Sequence, residues 1–410
     1  MASVIQLESD VNNHAWGKKG QSSLAARYAN ATPGKEFKVE SGKDYSEMWI
    51  GTYPNTPSQL LSTGQKLQEW IDGNKEKLLG PAVIAKYGSD LPFLPKVISI
   101  SNELPLQIHP DKILATKLHK HNPSKFGDPN HKPELTVALT DFEAFVGFKH
   151  VKDIDALFQD IPYLRDRFTT QPKTPFTSST LVKNIVHKLL SLSEEEVAEV
   201  YSALRDTPRS EYGDQSYILM LLPRITNQDG ATDPGCLVSL LTMNFLTLKK
   251  GEALYIPADG IHAFLSGDII ECMAPSDNII NCGVCPSANP ESINLFTSAL
   301  TFDYKDPQSM VLKPKVSTKG LKGHTRVYAP PDSEFDMLIT ELKSGGEEHL
   351  AGLQGPGIVV VTKGSGKLHA KGEELELKEG YAFFVGYDTD LKLIADEGQG
   401  LDIHMAFCEA

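Results

Sequence analysis

The chain predicts a mainly β protein with a helical insertion, arranged as a pair of antiparallel β-barrels plus an α-helical domain. Three observations carry that expectation. Short apolar runs separated by Gly, Pro and Asn fill residues 1–150 and the stretch after about 236, whereas residues 152–222 place apolar residues at helical spacing. Two later segments, "LTLKKGEALYIPADGIHAFLSGDIIECM" and "LHAKGEELELKEGYAFFVGYDTDLKLIA", share one cadence, in which Gly251 and Gly380 each open a short apolar strand.

In chain order, residues 1–150 read as the first part of one barrel region, with brief helical pieces such as "KLQEWIDGNKEKLL". Residues 151–232 read as the helical insertion. There Leu181, Ile185, Val186, Leu189 and Leu190, then Val197, Val200, Tyr201 and Leu204, fit the apolar stripes of two amphipathic helices. Ser193 followed by Glu194, Glu195 and Glu196 reads as the cap and acidic first turn of the second. Residues 233–320 complete the first region, and 321–410 form a second barrel. Only the first cadence has a histidine just after its apolar strand, His262, so the C-terminal unit is expected to be metal-free.

At 410 residues the chain suffices for two or three globular units, because a single core seldom grows past roughly 250 to 300 residues. Hydrophobic residues at 40% and charged residues at 23% exclude a disordered or fibrous chain. A net charge of -13 supplies no diffuse basic field for a polyanion, which excludes nucleic acid as a partner but not a small phosphorylated ligand held by local Lys and Arg. The opening "MASVIQLESDVNNHAWG" has acidic residues where a secretory signal needs basic ones, and "YILMLL" is far too short to cross a bilayer. Five thinly spread cysteines argue against a disulfide framework. The expectation is a cytoplasmic monomer with no membrane partner.

The densest polar information lies in "LPLQIHPDK" and "DPNHKPELTVAL". Gln107 and His109 are two apart, so on a strand both point to one face. Glu134 follows in "HKPEL", and His262 ends the "YIPADGIH" turn. Two imidazoles, a carboxylate and an amide oxygen form a donor set that suits zinc better than magnesium and leaves room for substrate or water. Singly, each has a plainer explanation, since a lone strand histidine is more often core or surface and a buried Gln often caps a backbone group. His119, His121, His187, His324, His349, His369 and His404 have no comparable context and are expected to be surface or structural.

The stretches "HAWGKKGQSSLAARYA", "YSEMWIGTYPNTPS", "LPFLPKV", "LPLQIHPDK", "DPNHKPELTVALTDFEAFVGF" and "YIPADGIHAFLSGDIIECMAPSDN", with the helical block, resemble the type I mannose-6-phosphate isomerases, most closely the fungal-like eukaryotic members. The resemblance runs in order through essentially the whole chain. It implies two cupin-type jelly-roll barrels and the interconversion of mannose 6-phosphate and fructose 6-phosphate, which feeds GDP-mannose synthesis. It also implies one zinc ion per chain on Gln107, His109, Glu134 and His262, and pocket positions at Trp16, Glu47, Lys96, Lys132, Glu271 and Asp277. Moving hydrogen between C1 and C2 of an open-chain sugar requires a base and an electrophile that stabilises the enediolate oxygens. Lys132, desolvated beside zinc and so lowered in pKa, is one candidate base. Asp277 is the other, also suited to ring opening, and Lys132 then only neutralises the enediolate.

The match departs from the family at the substrate end. Where the family carries an Arg and a Lys facing substrate, this chain has Asn281 and Ser287; a Ser before the Gln-x-His pair is Pro105, a Tyr is Phe264 and a His is Tyr53. Losing two charge-assisted contacts at roughly 1.5 to 3 kcal/mol each weakens binding of a phosphorylated sugar by a factor of order 10² to 10⁴. Two alternatives to the isomerase follow: a diverged paralogue that isomerises or epimerises a different sugar, and a non-catalytic sugar- or metal-binding member. Lys149 or Arg326 is a possible replacement source of charge. Cys282 and Cys285 read as a redox pair, a second zinc site with Cys272, or drift in the altered loop, and the last is expected because no βαβ context surrounds them.

Overall fold

A computed structural model describes residues 3–34, 37–168, 179–226, 233–283, 290–302, 304 and 306–410. Its strands sort into two eleven-stranded sheets and one two-stranded ribbon. Among the described residues the pairing does not run full circle in either sheet, so the expected barrel pair takes the form of two packed, open-edged sheets. One sheet has at its centre the strands Ala253–Ile256, Glu134–Ala138, His262–Met273, Leu94–Ile100 and Glu47–Trp49, side by side in that order. The other is built on Asp336–Leu342, Leu401–Phe407, Gly357–Ala370 and Ala382–Val385. The N-terminal strand Val4–Glu8 adds to this second sheet by pairing antiparallel with Ala382–Val385. Gly251 and Gly380, with φ of 82° and 91°, precede corresponding strands in the two sheets, as the shared cadence predicts.

Strand alternation positions the site. In His262–Met273, Ile270 and Cys272 face a core shared with Ile358, Val360 and Phe384 of the other sheet. Residues 269, 271 and 273 therefore face the opposite way. Val97, Leu135 and Val137 also enter the shared core, which turns Lys96 and Glu134 to the same side as Glu271. That outer face is apolar at one end, where Ile98, Ile100 and Ile269 pack with Phe142 and Phe264. It is apolar again at the other end, where Trp49, Leu94 and Met273 meet. Charged residues occupy the band between.

The helices Val151–Asp160, Ser179–Leu190 and Glu194–Asp206 form a separate core with Phe145, Phe148 and Ile108. Ser193 and Glu196 make a reciprocal capping box at the start of the last of these. Ser193→Ala is expected to lower global stability by about 1 kcal/mol, read as a shift in denaturant midpoint. The sequence is expected to return to strand near 236, yet Pro234–Thr242 is a helix buried from Gly235 to its end. A short, mostly apolar run has no clear periodicity to separate helix from buried strand, and the deciding features are the Asp233 cap and Pro234 at the first turn.

Glu103, 4% exposed, packs against this helix. Its Oε2 lies 3.7 Å from Cys236 Sγ and its Oε1 has no hydrogen-bond partner. Burial, then Asp233, pushes its pKa up to about 8. The folded state therefore holds a proton that the unfolded chain releases near pH 4 to 5, and stability is lost as pH rises from there towards 8, by up to about 1.4 kcal/mol per unit. Glu103→Gln should match the wild type near pH 4.5 and exceed it by up to about 4 kcal/mol at pH 8, measured by denaturant unfolding at both values.

Candidate metal centre

His109 follows the two-residue strand Gln107–Ile108, Glu134 opens the strand Glu134–Ala138, and His262 opens the strand His262–Met273. Gly267, at φ 124°, lets that last strand pass against the backbone of Asp141, where a Cβ would lie 2.6 Å from a carbonyl oxygen. It can thus pair with Phe142–Phe148 at its His262 end and with Leu94–Ile100 at its Glu271 end.

The donor atoms of His109, Glu134 and His262 lie within 4.8 Å of one another, all buried, and they are the group of this kind found among the described residues. His109 Nε2 is 3.1 Å from Glu134 Oε1, and His262 Nε2 is 3.3 Å from Glu134 Oε2. Neither approach has hydrogen-bond geometry, so both Nε2 atoms and Glu134 Oε2 are buried without a partner. Such atoms cost roughly 1 to 3 kcal/mol each unless something satisfies them. The other ring nitrogens show what does. His109 Nδ1 donates to the Asn278 carbonyl at 2.8 Å and His262 Nδ1 to the Gly260 carbonyl at 2.9 Å. A carbonyl only accepts, so each ring carries its proton on Nδ1 and presents a bare Nε2 to the centre, the tautomer a metal ligand needs.

Electrostatics agree with that donor set. Burial, then Lys132, lowers the His109 pKa to about 4, and burial lowers that of His262, so both rings are neutral. Burial alone would raise Glu134, but the Lys132 ammonium beside it holds its carboxyl well below the usual range. Gln107, 8% exposed, pairs with His262 on one side and Asn281 on the other, which puts the fourth predicted ligand beside the cluster. Two neutral imidazoles, a carboxylate and an adjacent amide fit zinc.

The charged band completes the wall. Lys132 Nζ lies 3.1 Å from Glu134 Oε1. Among the protein groups alone, burial lowers the Lys132 pKa, while Glu134, Glu271 and Glu47 together outweigh burial and raise it; the depression expected from the sequence belongs to Lys132 beside a bound zinc ion. Glu271 and Lys96 are cross-strand neighbours, and Lys96 pairs in turn with Trp49. The Lys96 ammonium sits 3.9 Å over the Trp49 ring, whose Nε1 donates to Glu47 at 2.6 Å. Burial, then Glu134, pushes the Glu271 carboxyl up to about 8. Trp49 thus braces two predicted pocket residues. Nothing within "SEMWIG" marks it for that role, because only the register shows that it faces Lys96.

Asp277 stands exposed, accepting from Asn55 Nδ2 at 3.0 Å and from the Tyr53 hydroxyl. Trp16 stacks on His14 and packs beside the cluster that contains Phe264. Phe264, 1% exposed, backs the His262 ring at 5.4 Å and so supports a ligand from behind. Asn281 lies on the strand next to Gln107, while Ser287 and Cys285 fall outside the described residues. Cys282 belongs to the core of the helical region and Cys272 to the core between the sheets, which removes Cys272 as a shared ligand. Neither proposed substitute cation reaches the centre. Lys149 is buried with its ammonium on the Leu240 carbonyl at 2.8 Å, and Arg326 pairs with Glu341 on the C-terminal sheet.

A buried two-histidine, one-carboxylate cluster at the end of paired strands, walled by lysines and carboxylates, gives this β-rich chain a site that could hold a metal ion. Residues 4–151 match the model of the phosphomannose isomerase type I catalytic domain. The chain is 34% identical to a mannose-6-phosphate isomerase of Ogataea parapolymorpha, with 99% of each chain covered. It is also 34% identical to one of Schizosaccharomyces pombe, covering 99% of this chain and 100% of that one. A mannose 6-phosphate isomerase of Salmonella typhimurium bound to substrate and zinc superposes over 100% of both chains, with a TM-score of 0.82 at 25% identity. The chain belongs to the type I phosphomannose isomerase family.

Proposed function

We propose that this protein is a zinc-dependent aldose-ketose isomerase that interconverts mannose 6-phosphate and fructose 6-phosphate through an enediolate, in a step that supplies GDP-mannose precursor. The observation that carries the reading is the pair of buried imidazoles, each fixed by a carbonyl so that its bare Nε2 faces Glu134. Support comes from relatives of that name that match end to end. His109, Glu134 and His262, with Gln107, would hold one zinc ion per chain. Held there, zinc would supply a Lewis acid for the enediolate and, as a dication near Lys132, would oppose its ammonium form. In this reading Lys132 Nζ moves the proton between C1 and C2, while Lys96 and Glu271 hold the sugar hydroxyls. Glu47 orients that wall through Trp49, and Asp277, at the exposed mouth, serves ring opening. No helix among the described residues is long and apolar enough to cross a membrane. A cytoplasmic, monomeric enzyme is part of the proposal.

The test is turnover of both hexose 6-phosphates by the purified chain, with and without a chelator, alongside bound zinc. One zinc per chain and chelator-sensitive turnover are expected; stoichiometric zinc with no turnover on either sugar would overturn the reading. At the phosphate end, Asn281→Arg adds a guanidinium on the strand beside Gln107. If the phosphate approaches there, KM for mannose 6-phosphate should fall by about tenfold or more with kcat little changed, as expected for one charge-assisted contact. An unchanged KM would place the phosphate elsewhere.

A further inference from the structure

Asn278 is completely buried and its polar groups point in two directions. Its carbonyl is the acceptor that fixes the His109 ring, at 2.8 Å. Its side-chain nitrogen reaches the Asp128 carbonyl at 2.6 Å, Asp128 Oδ1 at 3.1 Å and the Asn130 carbonyl at 3.2 Å. Further bonds run along the same seam. The Asp277 N–H donates to Asp128 Oδ2 at 3.2 Å, Asn130 Nδ2 to the Pro275 carbonyl at 3.2 Å, and the Ala274 N–H to the Pro133 carbonyl at 3.3 Å. The seam fastens residues 274–278, which orient His109, to residues 128–133, which lead directly into Lys132 and Glu134.

From this geometry we infer that Asn278 is a positioning residue for the metal centre. Its carbonyl sets the His109 ring, and its side chain sets how closely Lys132 and Glu134 approach that ring. The two halves of the ligand set lie far apart in sequence, and this one buried amide touches the supports of both. An amide suits the place because it brings two hydrogens to a cluster of acceptors without burying a charge. The main-chain carbonyl survives any substitution, so a change of side chain acts by opening the seam. The inference rests on the zinc reading of the site but not on the identity of the sugar.

Asn278→Asp keeps the shape and removes the donor, setting a carboxylate against the Asp128 carboxylate and two carbonyls. Zinc affinity of the full-length chain, read by competition with a chromophoric chelator, is expected to fall by about 10- to 100-fold. Adding Asp128→Asn returns a donor to the seam, and the double variant should recover most of the loss, a coupling that independent effects would not produce. Melting of the zinc-free chain, followed in parallel, separates the inference from a purely structural role, which would lower the melting temperature and leave zinc affinity unchanged. If Asn278→Asp does not fold, Asn278→Ser, with a shorter donor, undergoes the same titration and should show an intermediate loss. A folded Asn278 variant that binds zinc within twofold of the wild type overturns the inference. Because zinc binding is read without turnover, a wild-type chain that holds zinc but does not isomerise hexose phosphates would overturn the proposed reaction and leave this inference intact.

Discussion

His262→Ala is expected to bind no stoichiometric zinc and to lose isomerase activity by about 10³-fold or more, while keeping its fold. His262 Nε2 is one of three partnerless atoms that converge on the centre, and no neighbouring side chain can take its place: Phe264 beside it has no donor atom, and Gln107 is already counted among the ligands. With two histidines reduced to one, the three remaining donors are one imidazole, one carboxylate and a weakly binding neutral amide, without the second imidazole or thiolate that catalytic zinc sites hold. The Lewis-acid contribution, worth several kcal/mol in the transition state, goes with the metal. Chelation of the wild type should reproduce the loss, with one difference. Added zinc should restore the chelated wild type and fail to restore His262→Ala at the same concentration. Recovery of the variant at equimolar zinc would show that His262 is not a ligand.

The clustering of His109, Glu134 and His262 is legible in the sequence because each candidate ligand sits beside a recognisable strand or turn, with Gln107 and His109 two residues apart. What the sequence hides is long-range registration. That Val4–Glu8 joins the C-terminal sheet depends on which strand edge is open, and nothing within the five residues records it. Trp49 and Asn278 are similarly silent, since their partners Lys96 and Asp128 lie 47 and 150 residues away. Lys132 has a charge environment that is hidden for a related reason. Its burial was foreseeable, but the gathering of Glu134, Glu271 and Glu47 around it follows from the register of neighbouring strands. Charge balance in a buried site depends on every group that faces it, and sequence proximity shows only a few of them.

That same gathering shapes the second large prediction, the separation of charge from proton transfer at Lys132. Lys132→Met removes both functions and should lower kcat by about 10² to 10⁴, the range of general acid-base catalysis. Lys132→Arg is the informative variant, because a guanidinium keeps the positive charge beside Glu134 and does not deprotonate. If Lys132 Nζ carries the proton between C1 and C2, Arg should be nearly as inactive as Met, and exchange of the C2 hydrogen with solvent deuterium should disappear in both. If Lys132 only neutralises the enediolate, Lys132→Arg should retain at least about a tenth of wild-type kcat and continue to exchange. Asp277 provides the internal control. It is exposed and already accepts from Asn55 and Tyr53, so it is poorly disposed to take a proton from carbon in a dry site. Asp277→Asn should therefore cost about tenfold, expressed mainly with the cyclic sugar, whose ring must first open. A larger loss at Asp277 than at Lys132 would exchange the two roles.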